Sequence, residues 1–115
     1  MSRDELEKVL ELHKKWLNNE PEGVKANLRG ADLRGADLSY ADLSDADLDF
    51  SCLPLWCGSL TANMDDKQVK QLLYHVLSIV KHSNNVSEIL KSQLLTEQNL
   101  TVAKEFHRAD ECKKL

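Results

Sequence analysis

With 115 residues, 42% of them hydrophobic and 30% charged, the chain holds enough apolar material for one small core and is too rich in it for a disordered polymer. The formal net charge of −4 is unevenly placed: residues 26–60 carry six aspartates against Arg29 and Arg34, while the segments on either side nearly balance. An acidic body of this kind disfavours nucleic acid and anionic membrane as partners, because both demand basic patches. No apolar run approaches a spanning helix, and MSRDELEKVLELHKK alternates charge with leucine where a signal peptide would need an apolar core. The expected location is therefore the cytoplasm. Cys52, Cys57 and Cys112 are odd in number and irregular in spacing, which suits reduced thiols better than a disulfide framework.

In chain order, Ser2-Arg-Asp-Glu5 forms a capping box, and Leu6, Val9, Leu10, His13, Trp16 and Leu17 follow at helical spacing. This predicts an amphipathic helix over about 3–17. Asn18, Asn19, Pro21 and Gly23 stop it and turn the chain.

From Ala26 the sequence reads ANLRG, ADLRG, ADLSY, ADLSD, ADLDF, and the pentad spacing continues through SCLPL and WCGSL. A period of five suits neither helix nor flat strand, since Leu28, Leu33, Leu38, Leu43 and Leu48 would walk round a helix and alternate faces on a strand. They share one interior, with Leu53 beyond them, only if the chain turns a corner once per pentad. Four corners then close a square coil, and residues twenty apart lie above one another.

The tandem A(D/N)LXX motif over Ala26–Phe50 resembles the pentapeptide-repeat proteins. That resemblance implies a right-handed quadrilateral β-helix. In such a stack Arg29 lies beneath Asp49 as an ion pair, and Gly30 and Gly35 leave room beneath Phe50 and Leu55. Seven pentads give fewer than two coils, too short to be stable without capping elements. The N-terminal helix is expected to cap one end, with Trp16 against the first Ala/Leu layer.

The regularity breaks at FSCLPLWCGSL, where Phe50, Leu55 and Trp56 form an apolar patch that needs a cover, either helices of the same chain or another protein. Beyond Gly58 the pattern is helical. Val69, Leu72, Leu73, Val76, Leu77 and Val80 form one stripe after a capping box at Asp65. Asn85-Val-Ser-Glu88 caps a second helix carrying Val86, Ile89, Leu90 and Leu94, and a third runs from a Thr96 cap to about Cys112. Asn85-Val-Ser and Asn99-Leu-Thr match glycosylation acceptors but read as caps and polar surface in a cytosolic chain.

The expected fold is thus mixed: a capping helix and turn over 1–23, a short β-helix over 24–60, and a bundle of about three helices over 61–115 packed on the repeats as one compact domain. The combination of HKKWLNNE, ANLRGADL, DFSCLPLWCGSL, LLYHVLS and FHRADEC is also similar to small pentapeptide-repeat proteins of bacteriophages and prophages of Gram-positive bacteria. That likeness implies a phage accessory protein acting in a host cytoplasm and supplies no active-site residues.

Three kinds of chemistry bear on these residues. Asp32, Asp37, Asp42 and Asp47 fall on successive faces, with Asp45 and Asp49 beside them, as an acidic ring. The ring is a candidate docking surface for a basic protein, or simply a solvated position of the repeat. Long pentapeptide-repeat proteins imitate duplex DNA and inhibit topoisomerases, but a stack only ~10 Å tall could copy only a short patch of a duplex. Cys57, His107 and Cys112 are the best candidate zinc ligands among Cys52, Cys57, His75, His82, His107 and Cys112, although their spacings match no usual zinc pattern. There is no P-loop, dinucleotide fingerprint, nucleophile elbow or zincin motif. The reading is a non-enzymatic, cofactor-free module that binds and inhibits a bacterial nucleic-acid-handling or defence protein. The alternatives are an assembly protein that homodimerises through Phe50, Leu55 and Trp56, and a nucleotide sponge.

Overall fold

A computed structural model describes all residues, 1–115, and divides them into two compact units, Met1–Asp65 and Asp66–Leu115. The first holds helix α1 (Arg3–Leu17) and a turn-rich coil. The second holds α2 (Asp66–His82), α3 (Glu88–Leu94), α4 (Glu97–Ala103) and a 3₁₀ turn at Ala109–Glu111.

The expected β-helix is not seen. No strand and no sheet forms anywhere, and parallel pairing is limited to isolated bridges at Asn27–Asp47, Asp32–Cys52 and Asp42–Asn63. The reason is local. Each pentad closes a turn in which the first residue of the next pentad donates its N–H to the carbonyl of the leucine three residues earlier: Ala31 to Leu28, Ala36 to Leu33, Ala41 to Leu38, Ala46 to Leu43, and Ser51 to Leu48. Too few extended residues remain between turns for consecutive bridges to join into a ladder.

The third residue of every turn has positive φ: Gly30 at 68°, Gly35 at 74°, Tyr40 at 62°, Asp45 at 67° and Phe50 at 63°. This corrects the role expected for Gly30 and Gly35. A Cβ added to either meets nothing within 4 Å, so the glycines supply a left-handed conformation and not room beneath a neighbour.

Backbone bonds tie one circuit of the coil to the next. Leu28 N–H donates to Asp47 O at 2.9 Å, and Leu33 N–H donates to Cys52 O at 2.9 Å. The offset grows by one residue after the break in the repeats, since Leu43 N–H donates to Asn63 O at 2.8 Å. Between these points Trp56 and Gly58 accept turn bonds from Ser59 and Thr61, and the Trp56 indole N–H reaches the Ala36 carbonyl at 3.0 Å. A side chain there makes the inter-circuit link that the backbone makes elsewhere.

Inside the coil Leu28, Leu33, Leu38, Leu43 and Leu48 are buried with Ala26, Ala46 and Leu6 of α1, while Leu53 is half-buried at the edge of that core. Two devices bind α1 to the coil. Gly23 lies so close that a Cβ would stand 2.3 Å from the Trp16 nitrogen. His13, fully buried, accepts from Ala26 N–H at Nδ1 (3.0 Å), so its Nε2 carries the proton and donates to Ser44 O at 2.8 Å. Trp16 stacks on the His13 ring, and Lys25 sits over its indole.

In the second unit Tyr74 and Leu77 of α2 meet Ala103 of α4 and Phe106. Burial pushes the Tyr74 phenol up, and its hydroxyl donates to Lys113 O at 2.9 Å. Thr96 caps α4 as expected, but α3 is capped by Ser87 and not by Asn85, because the Ser87 hydroxyl accepts the Leu90 N–H, and Val86 lies before the helix. The last helix is shorter than expected, ending at Ala103 and not near Cys112, because Glu105 and Phe106 turn back onto Val102 and Ala103 and seat Phe106 in the core.

Candidate functional site

The acidic positions perform local work first. In every complete repeat the side-chain oxygen of the second residue accepts the backbone N–H two residues on: Asn27 from Arg29, Asp32 from Arg34, Asp37 from Ser39, Asp42 from Ser44 and Asp47 from Asp49, all at 2.9–3.1 Å. These are Asx turns, which Asn serves as well as Asp. Repetition of Asp in the sequence therefore has a structural cause that requires no partner.

The charges around the coil are not equivalent. Asp32 is gripped by the Arg34 guanidinium at 2.8 and 2.9 Å, and that pairing lowers its carboxyl to about 2. Arg29 lies 3.8 Å from Asp47 and 3.4 Å from Asp49, the latter contact joining residues twenty apart as the repeat spacing implies, and its guanidinium covers the Phe50 ring at 4.7 Å. Asp37, Asp42 and Asp45 make no ion pair. The Ser39 hydroxyl, and then its N–H, hold the Asp37 carboxyl below the ordinary carboxylate value, with Arg3 acting at longer range. Asp45 stands at a turn corner, where its N–H donates to the Asp65 carboxylate at 2.7 Å.

Phe50, Leu55 and Trp56 are all exposed, and so is Tyr40, at 90% of its surface. Sequence reading missed Tyr40; the signal was a large residue at the pentad position that Gly occupies at 30 and 35. A cavity of about 460 Å³ opens between α1 and the coil, floored by Leu6, Leu10, Leu33 and Ala36 and rimmed by Arg3 and Arg34.

The metal and nucleophile candidates have other surroundings. Cys57 belongs to the first unit and His107 and Cys112 to the second, and within neither unit does a group of three or more His, Cys, Asp or Glu converge on a metal-sized site. His75 and His107 set their rings edge-on to Phe106, His82 approaches the Lys114 carbonyl, and the Cys112 thiol faces Arg108 O.

Residues 24–53 match the family model for pentapeptide repeats, in 8 copies. Over that stretch, about a quarter of the chain, the coil is similar to pentapeptide repeats. No curated protein and no solved structure matches the chain. No helix is long and apolar enough to cross a membrane.

Proposed function

We propose that this protein is a non-enzymatic binding module that docks a basic surface of a bacterial protein on the acidic side of its coil. The observation that carries the reading is the distribution of charge. Gly35 to Asp66 contains seven aspartates and neither lysine nor arginine, while the two arginines of the repeats pair with Asp32, Asp47 and Asp49. Asp37, Asp42 and Asp45 keep an outward negative field, which attracts and orients a basic partner. A nucleic-acid-handling or defence protein carries such a basic face. The likeness to small phage and prophage proteins makes inhibition of a host protein of that kind the specific reading. Pentapeptide-repeat proteins are generally not enzymes, which agrees with the absence of catalytic motifs.

The test is affinity capture from a bacterial lysate at low and high salt, with wild type beside the Asp37→Asn/Asp42→Asn double variant. Asparagine preserves both Asx turns, as Asn27 does naturally. One protein retained by wild type, released by salt and lost by the variant supports the reading; equal capture by the variant rejects it. A second reading, self-association through Phe50, Leu55 and Trp56, is favoured by the exposure of all three side chains. Light scattering of Leu55→Lys/Trp56→Lys against wild type decides it.

A further inference from the structure

One corner of the coil already holds a guanidinium. In the pentad 46–50 the Arg29 side chain, reaching up from the circuit below, lies 4.7 Å from the centre of the Phe50 ring, 3.8 Å from the Asp47 carboxylate and 3.4 Å from that of Asp49. A flat cation stacks on the ring and bonds the carboxylates at once. The pentad 36–40 builds the same corner. Its Asx turn, with Asp37 accepting Ser39 N–H at 3.0 Å, its turn bond from Ala41 N–H to Leu38 O at 3.1 Å and its φ of 62° at Tyr40 match the 2.9 Å, 3.1 Å and 63° at Asp47, Ser51 and Phe50. Two carboxylates bracket each ring in sequence, Asp47 and Asp49 in one case, Asp37 and Asp42 in the other. The difference is the cation. Arg29 stands twenty residues before Asp49, whereas twenty before Ser39 stands Asn19, ahead of the coil. Phe50 beneath its arginine is 64% exposed, and Tyr40 is 90% exposed. Arg3 acts on Asp37 only at longer range and is bonded to Glu7 at 3.2 Å.

From this we infer that the corner formed by Asp37 and Tyr40 receives an arginine side chain of the partner, its guanidinium on the Tyr40 ring and its N–H groups toward Asp37, as Arg29 lies on Phe50. The inference rests on the docking of a basic protein proposed for the acidic side of the coil, and it narrows that protein to one presenting an exposed arginine. Lysine suits the corner less well, since a compact ammonium meets a carboxylate but does not lie flat on a ring. The phenol hydroxyl plays no part, because Phe50 serves Arg29 without one.

NMR titration of the full chain with N-acetyl-arginine amide tests the site, with N-acetyl-lysine amide at equal ionic strength beside it and circular dichroism to confirm that each variant is folded. The arginine amide should shift the Tyr40 ring and Ser39 amide signals along a curve with a dissociation constant on the order of 100 mM, the strength of one exposed ring contact and one exposed ion pair. The lysine amide should bind at least ~threefold more weakly. Tyr40→Asn, a residue that tolerates the left-handed corner, should abolish the response at Ser39, and Tyr40→Phe should keep it. Arg29→Gln empties the corner at Phe50 and should add a second site there. A wild type without a curved response at Tyr40 overturns the inference, as do equal responses to the two amides, an unaffected Tyr40→Asn, or an Arg29→Gln variant that gains no site. Failure of docking itself reads differently: lysate capture unchanged by Asp37→Asn/Asp42→Asn rejects docking, whereas capture lost by that variant but kept by Tyr40→Asn leaves docking standing and overturns the arginine corner.

Discussion

The two units treat their apolar residues in opposite ways. In the coil, leucines recur every fifth residue from Leu28 to Leu53 and all but the last are buried, because each pentad returns the chain through the same turn. In the helical unit the core is Tyr74, Leu77, Ala103 and Phe106, while Val69, Val76, Ile79, Ile89 and Leu90 remain exposed. The coil fixes its interior by backbone geometry repeated residue by residue; the helices fix theirs by a few large side chains and leave a face over. A core built on repetition has no spare positions, so the same truncation should cost more in the coil than on the outer face of α2.

That contrast can be broken directly. Leu38→Ala removes a fully buried side chain from a narrow interior and should destabilise the first unit by roughly 2–5 kcal/mol. Trp16 and Trp56 both lie in residues 1–65, so urea unfolding followed by tryptophan fluorescence reports that unit. Ile79→Ala on exposed α2 should shift a circular dichroism melt by little, within roughly 0.5 kcal/mol. Equal losses at the two sites would erase the distinction.

A second substitution probes how the coil is held to α1. His13→Leu keeps the volume but leaves Ala26 N–H and Ser44 C=O without their side-chain partner, at a cost of roughly 1–3 kcal/mol for each group that finds no water. His13→Asn and His13→Gln, which retain both a donor and an acceptor, should recover part of it. If the leucine variant melts with wild type, the joint rests on apolar contact alone.

How much of this was legible depended on range. The α1 boundaries, the buried leucine column and the Thr96 cap follow from spacings within a helix turn or a pentad, and the Arg29–Asp49 pairing from four pentads to a circuit, whereas the cap read at Asn85 stands at Ser87. The β-helix did not form, because ladder formation needs extended residues in succession and each pentad gives most of its residues to a turn. The dual role of His13 was hidden, since a histidine at a helical core spacing does not reveal that both nitrogens will find backbone partners thirteen and thirty-one residues away. Asp32 through Asp47 were legible as a ring; their Asx-turn bonds, the grip of Arg34 on Asp32 and the approach of Arg29 to Asp47 required the fold.

The corner residues sharpen the comparison in the other direction. Tyr40 sits at φ 62° with a bulky side chain in water, a conformation that costs an L-residue about 1–2 kcal/mol relative to glycine before the entropy of glycine is counted. Tyr40→Gly should therefore stabilise the first unit, by about 0.5–1 kcal/mol after that offset. A loss of stability would mean that the ring makes contacts worth more than its backbone strain. If the gain in stability comes with loss of partner capture, the strain belongs to function.

The smallest expected effect lies on the coil surface and separates a charge tied up within the repeats from one left to a partner. The Arg34 guanidinium holds the Asp32 carboxyl at about 2, whereas Asp37 is lowered by the Ser39 hydroxyl and N–H. A depressed folded value means that the stabilisation is present above the ordinary carboxylate range, near 4, and is lost as pH falls through about 2 for Asp32. Arg34→Gln should return the Asp32 titration, followed by carboxyl NMR, toward the ordinary value and leave that of Asp37 where it is. Because both carboxylates face water, the melting temperature should scarcely move. Movement of both titrations together would show that the ring behaves as one coupled field, and the division between neutralised and outward-facing aspartates on which docking depends would fail.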